Sequence, residues 1–488
     1  MVLEKVMVRR AVVWITGALA VLAVGAAVFC FVRHAYGLVL FPYELTAGEE
    51  LLLRDAVQMR RGQPVYADVN EFPFIVSNYP PLFAALSSLL VPLVGESLSA
   101  TRIVATLSTL LCAVLIGAMS YQRSRSMLPS VVCGGAFLSS IFVYQWGTWG
   151  RVDPTAILFS LLAILVAQRW DDWRGSTLAA LCCLLSLYTK QTQWAAPFAI
   201  LVWLLWSRKW RRGLGFVFLL GGTGGLVFLV LNVLTSGEFY RHLVVYNVLP
   251  YSFRALLGYW RALPLTHGAI LVIAILYAVF LVWKRRPSLP VLYFATSALL
   301  TLAVGRAGAS SNYFLELIGS VLILCGLCWS ELSRRGGYPS VIVPAALLVQ
   351  LLWFRAFALS PLGLYYDPLP SFGYTPRPAD VVSCQQIDDY VMEAGGEILT
   401  EGGGFALKNG RELYGSPWML SILEGRGMVD QSLLQLDEAL AQHRFSLIIL
   451  TWQSYPPRIL DAVWANYQRV DTVDCIFKYE LFVPREAG

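Results

Sequence analysis

FPYELTAGEELLLRDAVQMRRGQPVYADVNEFPFIVSNYPPLF, residues 41–83, is a polar stretch set between one long apolar run and a series of others. It gathers carboxylates, glycines and prolines in a chain that is otherwise mostly lipid-like, which makes it a loop at a membrane rim. Ahead of it, MVLEKVMVRR places Lys5, Arg9 and Arg10 before an apolar run from Ala11 to Val32. That run is long for a signal peptide and further spans follow, so it reads as an uncleaved first helix with a cytoplasmic N-terminus. Inside the loop, LTAGEELLLRDAVQMRRG reads as an amphipathic surface helix with Thr46 or Gly48 near its N-cap, solvated charges along one side and Gly62 at its end. The segment from Pro80 to Gly95 is apolar but short and bounded by prolines and a glycine, and is expected to lie along the outer membrane surface.

Composition carries this reading to the whole chain. With 57% hydrophobic and only 14% charged residues and a mean hydropathy of +0.61, the 488-residue chain is a polytopic membrane protein. Its net charge of +6 sits mostly in short loops between apolar runs, where bilayer orientation accounts for it, so nucleic acid is dropped as a partner. Beyond the first run, spans thread near 98–121, 129–146, 154–168, 176–190, 194–206, 214–234, 269–283, 289–304, 314–331 and 341–360, about eleven helices in all. Alternating these across the bilayer puts Arg123, Arg125, Arg169, Arg174, Arg208, Lys209, Arg211, Arg212, Lys284 to Arg286, Arg334 and Arg335 on the N-terminal side, as the positive-inside rule requires. Seven of nine cysteines lie in apolar runs as packing residues, the Cys325/Cys328 pair included. Cys384 and Cys475 stand in the polar C-terminal region, placed where a disulfide can form.

The opposite, exoplasmic side then receives a loop over 33–97, GTWGRVD at 147–153, the Lys190 turn, a long loop over 235–268, RAGASSNYF at 306–314, and everything after about Leu362. The fold class expected is a mainly α membrane bundle over 1–360 with juxtamembrane helices, and a small exoplasmic α/β domain over 361–488. Within that domain, strand-like runs at 397–401, 446–450 and 476–483 alternate with helix-like stretches near 385–394, 433–444 and 457–467.

Candidate chemistry lies on the exoplasmic rim. Glu44 precedes the amphipathic helix and directly follows the first span and an aromatic pair, a position that aims it into a cleft at the membrane surface. Arg151 and Asp153 begin a span in GRVDP, where pairing with each other or capping the helix is the bland alternative. Lys190 and Arg306 stand on the exoplasmic side against the charge rule; a cation there needs an anion, and a lipid phosphate supplies one, with snorkelling to headgroups as the alternative. His242, in the loop sequence EFYRHLVVYN, is within reach of a substrate at that face, although loop histidines more often do nothing specific.

The ordered series YELTAGEE, GQPVYAD, NYPPLF, SATRIV, GRVD, TKQT and SSNYFLEL resembles the polytopic GT-C glycosyltransferases, in the bacterial branch akin to protein O-mannosyltransferases and aminoarabinose transferases, over about residues 10–360. The resemblance implies a GT-C-like bundle that takes a sugar from a polyprenyl-phosphate carrier and transfers it at the outer face, to a glycan, lipid or protein acceptor. It lays the catalytic base on Glu44. From the chemistry of the residues themselves, Asp153 competes for that role, Arg151, Lys190 and Arg306 are the candidate contacts to the donor phosphate, and Glu49, Asn78, Tyr79, His242, Asn312 and Tyr313 are candidate substrate contacts. Two departures stand out. The chain reads Tyr43-Glu44 where the mannosyltransferase pattern has Asp-Glu, and NYPPL where aminoarabinose transferases have Lys-Pro-Pro-Leu, so Asn78 or Tyr79 replaces a lysine. A divalent cation, magnesium or manganese, is an optional further partner for the phosphate charge, but the four histidines show no ligand spacing.

The mechanism fits these residue types. Transfer passes through an oxocarbenium-like transition state in which cations stabilise the leaving phosphate while a carboxylate takes the acceptor proton on the opposite sugar face, giving inversion. The rival classes are a lipid or glycan transporter, which would favour ionisable groups at mid-membrane between inverted repeats, and a non-catalytic cell-envelope assembly protein. The expected setting is an integral protein of a bacterial plasma membrane, with membrane lipids around it and its C-terminal domain periplasmic.

Overall fold

The computed structural model describes residues 2–285, 288–356 and 375–485. Helix α1 (Val2–Leu40) rises about 58 Å at 1.5 Å per residue, more than a bilayer core, and delivers the chain to the rim. The rim itself carries α2 (Glu49–Arg61), α3 (Leu82–Ser88) and α4 (Val91–Val94). The last two, within the segment from Pro80 to Gly95, are too short to cross a bilayer.

The bundle continues as α5 (Ser99–Ser124), α6 (Met127–Phe137), α7 (Ile141–Trp146), α8 (Asp153–Arg169), α9 (Trp173–Thr189), α10 (Ala195–Trp206), α11 (Trp210–Leu234), the short α12 (Glu238–Tyr240) with the π turn Arg241–Val245 after it, α13 (Phe253–Trp283), α14 (Leu289–Leu300), α15 (Leu315–Arg335) and α16 (Ile342–Ala356). Among the described residues, five stretches are long and apolar enough to cross a membrane: Met7–Leu40, Ser99–Ser124, Trp210–Leu234, Phe253–Trp283 and Ser311–Arg335. Of these Ser311–Arg335 is the hub, 94% buried in its most apolar window, whereas Trp210–Leu234 is only 11% buried and turns its Leu, Val and Phe side chains outward to lipid. Tight approach of α5 and α6 rests on Gly134, where a Cβ would stand 2.6 Å from the Ala113 carbonyl oxygen.

Three expectations change here. The long exoplasmic loop over 235–268 ends at Ser252, because α13 already begins at Phe253 and runs 31 residues through Pro264. Arg254, Arg261 and Pro264 hid this helix from a hydropathy reading; its length, about 46 Å, carries its first turns out of the hydrocarbon. The run 129–146 is two helices, broken around Ser139 and Ser140, with Ser140 Oγ 2.8 Å from His267 Nε2. Finally, α2 is capped by Gly48 and Gly62 as its sequence indicates, but Glu49, Glu50, Arg54 and Asp55 are buried rather than solvated, and only Arg60 and Arg61 at its end face water.

α2 is covered from several sides: Phe83, Val91, Leu98, Ala100 and Ala105 pack on its apolar residues, Arg102 and Ser77 bond Glu49 and Asp55, and Glu50 meets the C-terminal part of the chain. That part comprises α17 (Pro378–Glu393), β1 (Glu397–Thr400), α18 (Gly403–Lys408), α19 (Pro417–Glu424), α20 (Asp430–Ala441), β2 (Phe445–Leu450), α21 (Pro457–Asn466), β3 (Tyr467–Asp474) and β4 (Lys478–Pro484). The strands form one sheet in the order β1-β2-β4-β3, parallel between β1 and β2 and antiparallel elsewhere. Strand β3 escaped the sequence reading because its side chains are mostly exposed, so YQRVDTVD lacks a buried apolar face. Cys384 and Cys475 are disulfide-bonded and pin α17 beside the β3–β4 hairpin. Val69, Phe74 and Val76 of the rim loop share a core with Leu399, Met419, Leu433 and Ile448. Residues 357–374, which include the end of the last expected span and the expected 360/361 boundary, lie outside the described residues.

Candidate active site

The site is built around the carboxylates that follow α1. Arg102, in the first turn of α5 and fully buried, fastens the chain there: its Nη1 donates to the carbonyls of Leu38 (2.9 Å) and Phe41 (2.5 Å), its Nη2 to that of Tyr43 (2.7 Å). The same guanidinium grips Glu49 at both oxygens, Nε to Oε1 at 2.9 Å and Nη2 to Oε2 at 2.7 Å. Glu49 also accepts the N–H groups of Gly150 (2.8 Å) and Leu45 (2.9 Å). Burial alone would raise this carboxyl, but Arg102 and the N–H donors outweigh it and hold it below the ordinary value. Glu49, expected at the substrate, is therefore a structural tie with every oxygen engaged.

Glu44 is placed differently. It is 1% exposed, its Oε1 accepts the N–H of Gly404 at the start of α18, and its Oε2 has no partner. Burial, then the charge of Glu50, lifts its carboxyl well above the usual range, against the Gly404 N–H. Glu50 stands beside it, accepts Gly48 N–H at 2.8 Å, and is pushed by burial up to about 7 although Arg151 and that N–H pull it down. Arg151 donates to the Ala47 carbonyl (3.0 Å) and lies 5.6 Å over the Trp146 ring. No carboxylate forms an ion pair with Arg151 among the described residues, so its charge stays available.

Asp153 and Lys190 find each other. Lys190 Nζ lies 2.5 Å from Asp153 Oδ1, which also accepts Asn312 Nδ2 at 2.8 Å, and the ammonium sits 4.1 Å over the Tyr313 ring. The sequence offered Lys190 no neighbouring acid because its partner is 37 residues away, at the start of the adjacent helix. Asp153 Oδ2 keeps a free, buried oxygen. Tyr79 belongs to this cluster too, near enough to feel the charges of Arg151, Asp153 and Lys190. The carbonyl of Asn78 accepts from Gln191 (2.9 Å) and Asn247 (3.1 Å), while its Oδ1 is buried without a partner. Arg306 is held one step away, donating to the Asn247 carbonyl at 2.7 Å.

His242 commits both ring nitrogens: Nδ1 accepts Ser77 N–H at 2.9 Å and Nε2 faces the Ala67 carbonyl at 2.8 Å. Burial drives it down to about 4, so it is a neutral strut of the rim loop rather than an acid or base near neutrality. Arg102 is the functional residue that sequence reasoning passed over. The signal lies in SATRIV, since the expected threading sets that arginine at the exoplasmic end of a span, against the charge rule, the argument applied to Lys190. Glu316 was also missed: it is buried and accepts from Ser160, Gln193 and, at 2.8 Å, the Tyr293 hydroxyl.

Beside these clusters a cavity of about 500 Å³ opens between α9, α10 and α11. Its walls are apolar, Leu184, Phe198, Leu220 and Phe228 among them, and Gly221 and Gly225 of α11 widen it, since a Cβ on either would meet nothing within 4 Å. Pro80 and Gln191 line it as well, and each is the chain neighbour of a cluster residue, Tyr79 and Lys190. As for a metal, no group of three or more His, Cys, Asp and Glu side chains comes together among the described residues. Glu44 and Glu50 offer two carboxylates with Oε1 of one and Oε2 of the other already bonded, a poor donor set for a resident cation, and no step below runs through one.

Comparison with known proteins agrees with this architecture. The family described as dolichyl-phosphate-mannose-protein mannosyltransferase matches residues 78–234. An undecaprenyl phosphate-alpha-4-amino-4-deoxy-L-arabinose arabinosyl transferase of Enterobacter sp. (strain 638) is 26% identical over 167 residues, 31% of this chain and 28% of that protein's length. The crystal structure of ArnT from Cupriavidus metallidurans bound to undecaprenyl phosphate superposes with a TM-score of 0.60 over 95% of this chain and 98% of that one, at 13% identity. The oligosaccharyltransferase of Archaeoglobus fulgidus follows at 0.51, with 11% identity over 92% of this chain and 73% of that one. The chain is an integral membrane protein that shares the fold of the ArnT and oligosaccharyltransferase structures and, over residues 78–234, matches the mannosyltransferase family.

Proposed function

We propose that the protein transfers a sugar from a polyprenyl-phosphate-linked donor to an acceptor hydroxyl at the exoplasmic face of the membrane, with inversion. The observation that carries this is the junction of groove and polar cluster: an apolar channel ends at Pro80 and Gln191, the chain neighbours of Tyr79 and Lys190, which share a cluster with Arg151 and Asp153, while Glu50 stands between Arg151 and Glu44. A polyprenyl chain suits such a channel, and its phosphate then reaches the cations. The family and relative matched above act, by their names, with dolichyl-phosphate-mannose and undecaprenyl-phosphate-linked aminoarabinose.

Roles follow from what each group has free. Arg151 takes the donor phosphate, because Lys190 is neutralised by Asp153 and Arg306 is turned to Asn247. Asn312, Tyr313, Asn78 and Tyr79 line the sugar's position around that pair. Glu44 is the base through Oε2; Asp153 is the weaker candidate, since the ammonium beside it lowers its proton affinity. As the acceptor oxygen bonds to the anomeric carbon its proton passes to Oε2, and the anomeric C–O bond breaks with its electron pair leaving on the phosphate. The setting is a bacterial plasma membrane with the N-terminus cytoplasmic. The Cys384–Cys475 disulfide supports an oxidising, exoplasmic location for the C-terminal part.

The test is release of polyprenyl phosphate by purified protein in nanodiscs given a panel of polyprenyl-phosphate hexoses, pentoses and aminopentoses, with Glu44→Gln in parallel. Release that disappears in the variant while donor still binds supports the assignment. No release with any donor, from folded protein supplied with sugar, lipid and peptide acceptors, would leave transport or assembly as the better reading.

A further inference from the structure

EGGGFAL, residues 401–407, has no place in the chemistry above, and as a phosphate loop it lacks the required glycine spacing. In the folded chain it lies directly on the carboxyls of Glu44 and Glu50. The Gly404 N–H donates to Glu44 Oε1, and a Cβ at Gly404 would stand 2.7 Å from that same oxygen. A Cβ at Gly403 would stand 2.6 Å from Glu50 Cγ. A side chain at either position would force its neighbours to shift, and both glycines face rim-loop residues more than 350 positions earlier in the chain. The turn is seated independently of the glutamates: Tyr43 OH donates to Asp388 Oδ2 at 2.7 Å, Lys408 bonds the same carboxylate and lies 4.3 Å over the Tyr43 ring, and Asn409 reaches Asp388 Oδ1 at 2.9 Å.

Resting on Glu44 as the base, we infer that Gly404 is a positioning residue of the transfer reaction: its backbone N–H ties down Glu44 Oε1, leaving Oε2 as the atom presented to the acceptor. The C-terminal part of the chain is thereby part of the active site rather than a tethered accessory. Charged and titratable groups around Glu44 come from every side, Glu49 and Glu50 on α2, Arg102 on α5 and Tyr479 on β4, with Arg151 beyond Glu50. Against the two acidic neighbours, the Gly404 N–H works with Arg102 to favour the ionised carboxylate.

Gly404→Ala tests this, with Gly395→Ala as control, since a Cβ at Gly395 meets nothing within 4 Å. The methyl displaces Glu44 Oε1 from the N–H. The expected result is a fall in kcat of about tenfold or more, an unchanged donor KM, and an acid limb of the pH–rate profile moved to higher pH. A turn that merely helped folding would lower yield or thermal stability and leave kcat and the limb of the folded fraction where they were. Wild-type kcat and limb in folded Gly404→Ala overturn the inference, as does a loss seen wholly in donor KM. Should that variant not fold, Lys408→Met loosens the seat of the turn without crowding the carboxyls, and the same shifts, smaller, are expected; their absence is equally decisive. A readout free of turnover separates this inference from the reaction itself. Dicyclohexylcarbodiimide labels buried protonated carboxyls, and mass spectrometry follows labelling of Glu44 against pH. A higher-pH labelling midpoint in the variant of an enzyme that transfers nothing keeps the contact and refutes the function. An unmoved midpoint in an active enzyme does the reverse.

Discussion

Removing Arg102 should unseat the rim loop, and the structure gives the size of the effect. The side chain is fully buried and makes five hydrogen bonds, two to Glu49 and three to the carbonyls of Leu38, Phe41 and Tyr43. Arg102→Met leaves the Glu49 carboxylate inside the protein without its counter-charge, a loss of about 3–5 kcal/mol for a buried pair broken on one side. At 1.4 kcal/mol per factor of ten, that multiplies the open population of this segment by hundreds to thousands. Glu49→Met alone strands the guanidinium in the same way, although the three carbonyls still hold it. The double variant removes both charges together and should recover at least about half of the loss, since a well-packed apolar pair can replace a buried ion pair at little cost. The assay is thermal unfolding in detergent for the four members of the cycle, with hydrogen exchange over residues 38–55 as a local readout. Additive losses in the double variant would mean that the two side chains act independently, and the account of Glu49 as a tie would be wrong. Because the same carbonyls sit immediately before Glu44, transfer activity should fall in all three variants whatever their stability.

Four further outcomes are expected. With Glu44 raised well above the ordinary carboxylate value by burial and the charge of Glu50, the base is protonated as pH falls through its raised range, so kcat/KM should drop on the acid side at a pH well above the usual carboxylate range; a limb at ordinary carboxylate values would exclude Glu44. Arg151→Gln should lower kcat about 10²–10³-fold in single-turnover assays, and a larger loss in Lys190→Gln than in Arg151→Gln would reverse the assignment of the phosphate contact. Gly225→Leu fills the groove without a clash and should raise KM for a long-chain donor about tenfold while sparing a short-chain one; equal effects on both would remove the chain from this groove. Replacing Cys384 and Cys475 together by serine should destabilise the chain by about 2–5 kcal/mol in thermal scans, measured against wild type with and without reductant.

Hydropathy made most of the helices legible, because the length of an apolar run is written locally in each segment. The rim was harder for one physical reason: the meaning of an acidic residue there depends on what approaches it from elsewhere. Glu44, Glu49 and Glu50 lie within seven positions and look equivalent in YELTAGEE. Glu49 becomes a tie because Arg102, 53 residues on, takes both its oxygens; Glu44 keeps a free oxygen because a glycine turn 360 residues on takes only one. Lys190 changes in the same way, from a cation awaiting a lipid phosphate to the partner of Asp153. Even α2, whose period and caps are plain, hides its burial, since nothing within 49–61 announces that Arg102, Ser77 and the Gly403 turn will close over its charges. A carboxylate at a membrane rim is thus a candidate base only once its long-range partners are known, and the number of its oxygens left without one separates the base from the scaffold.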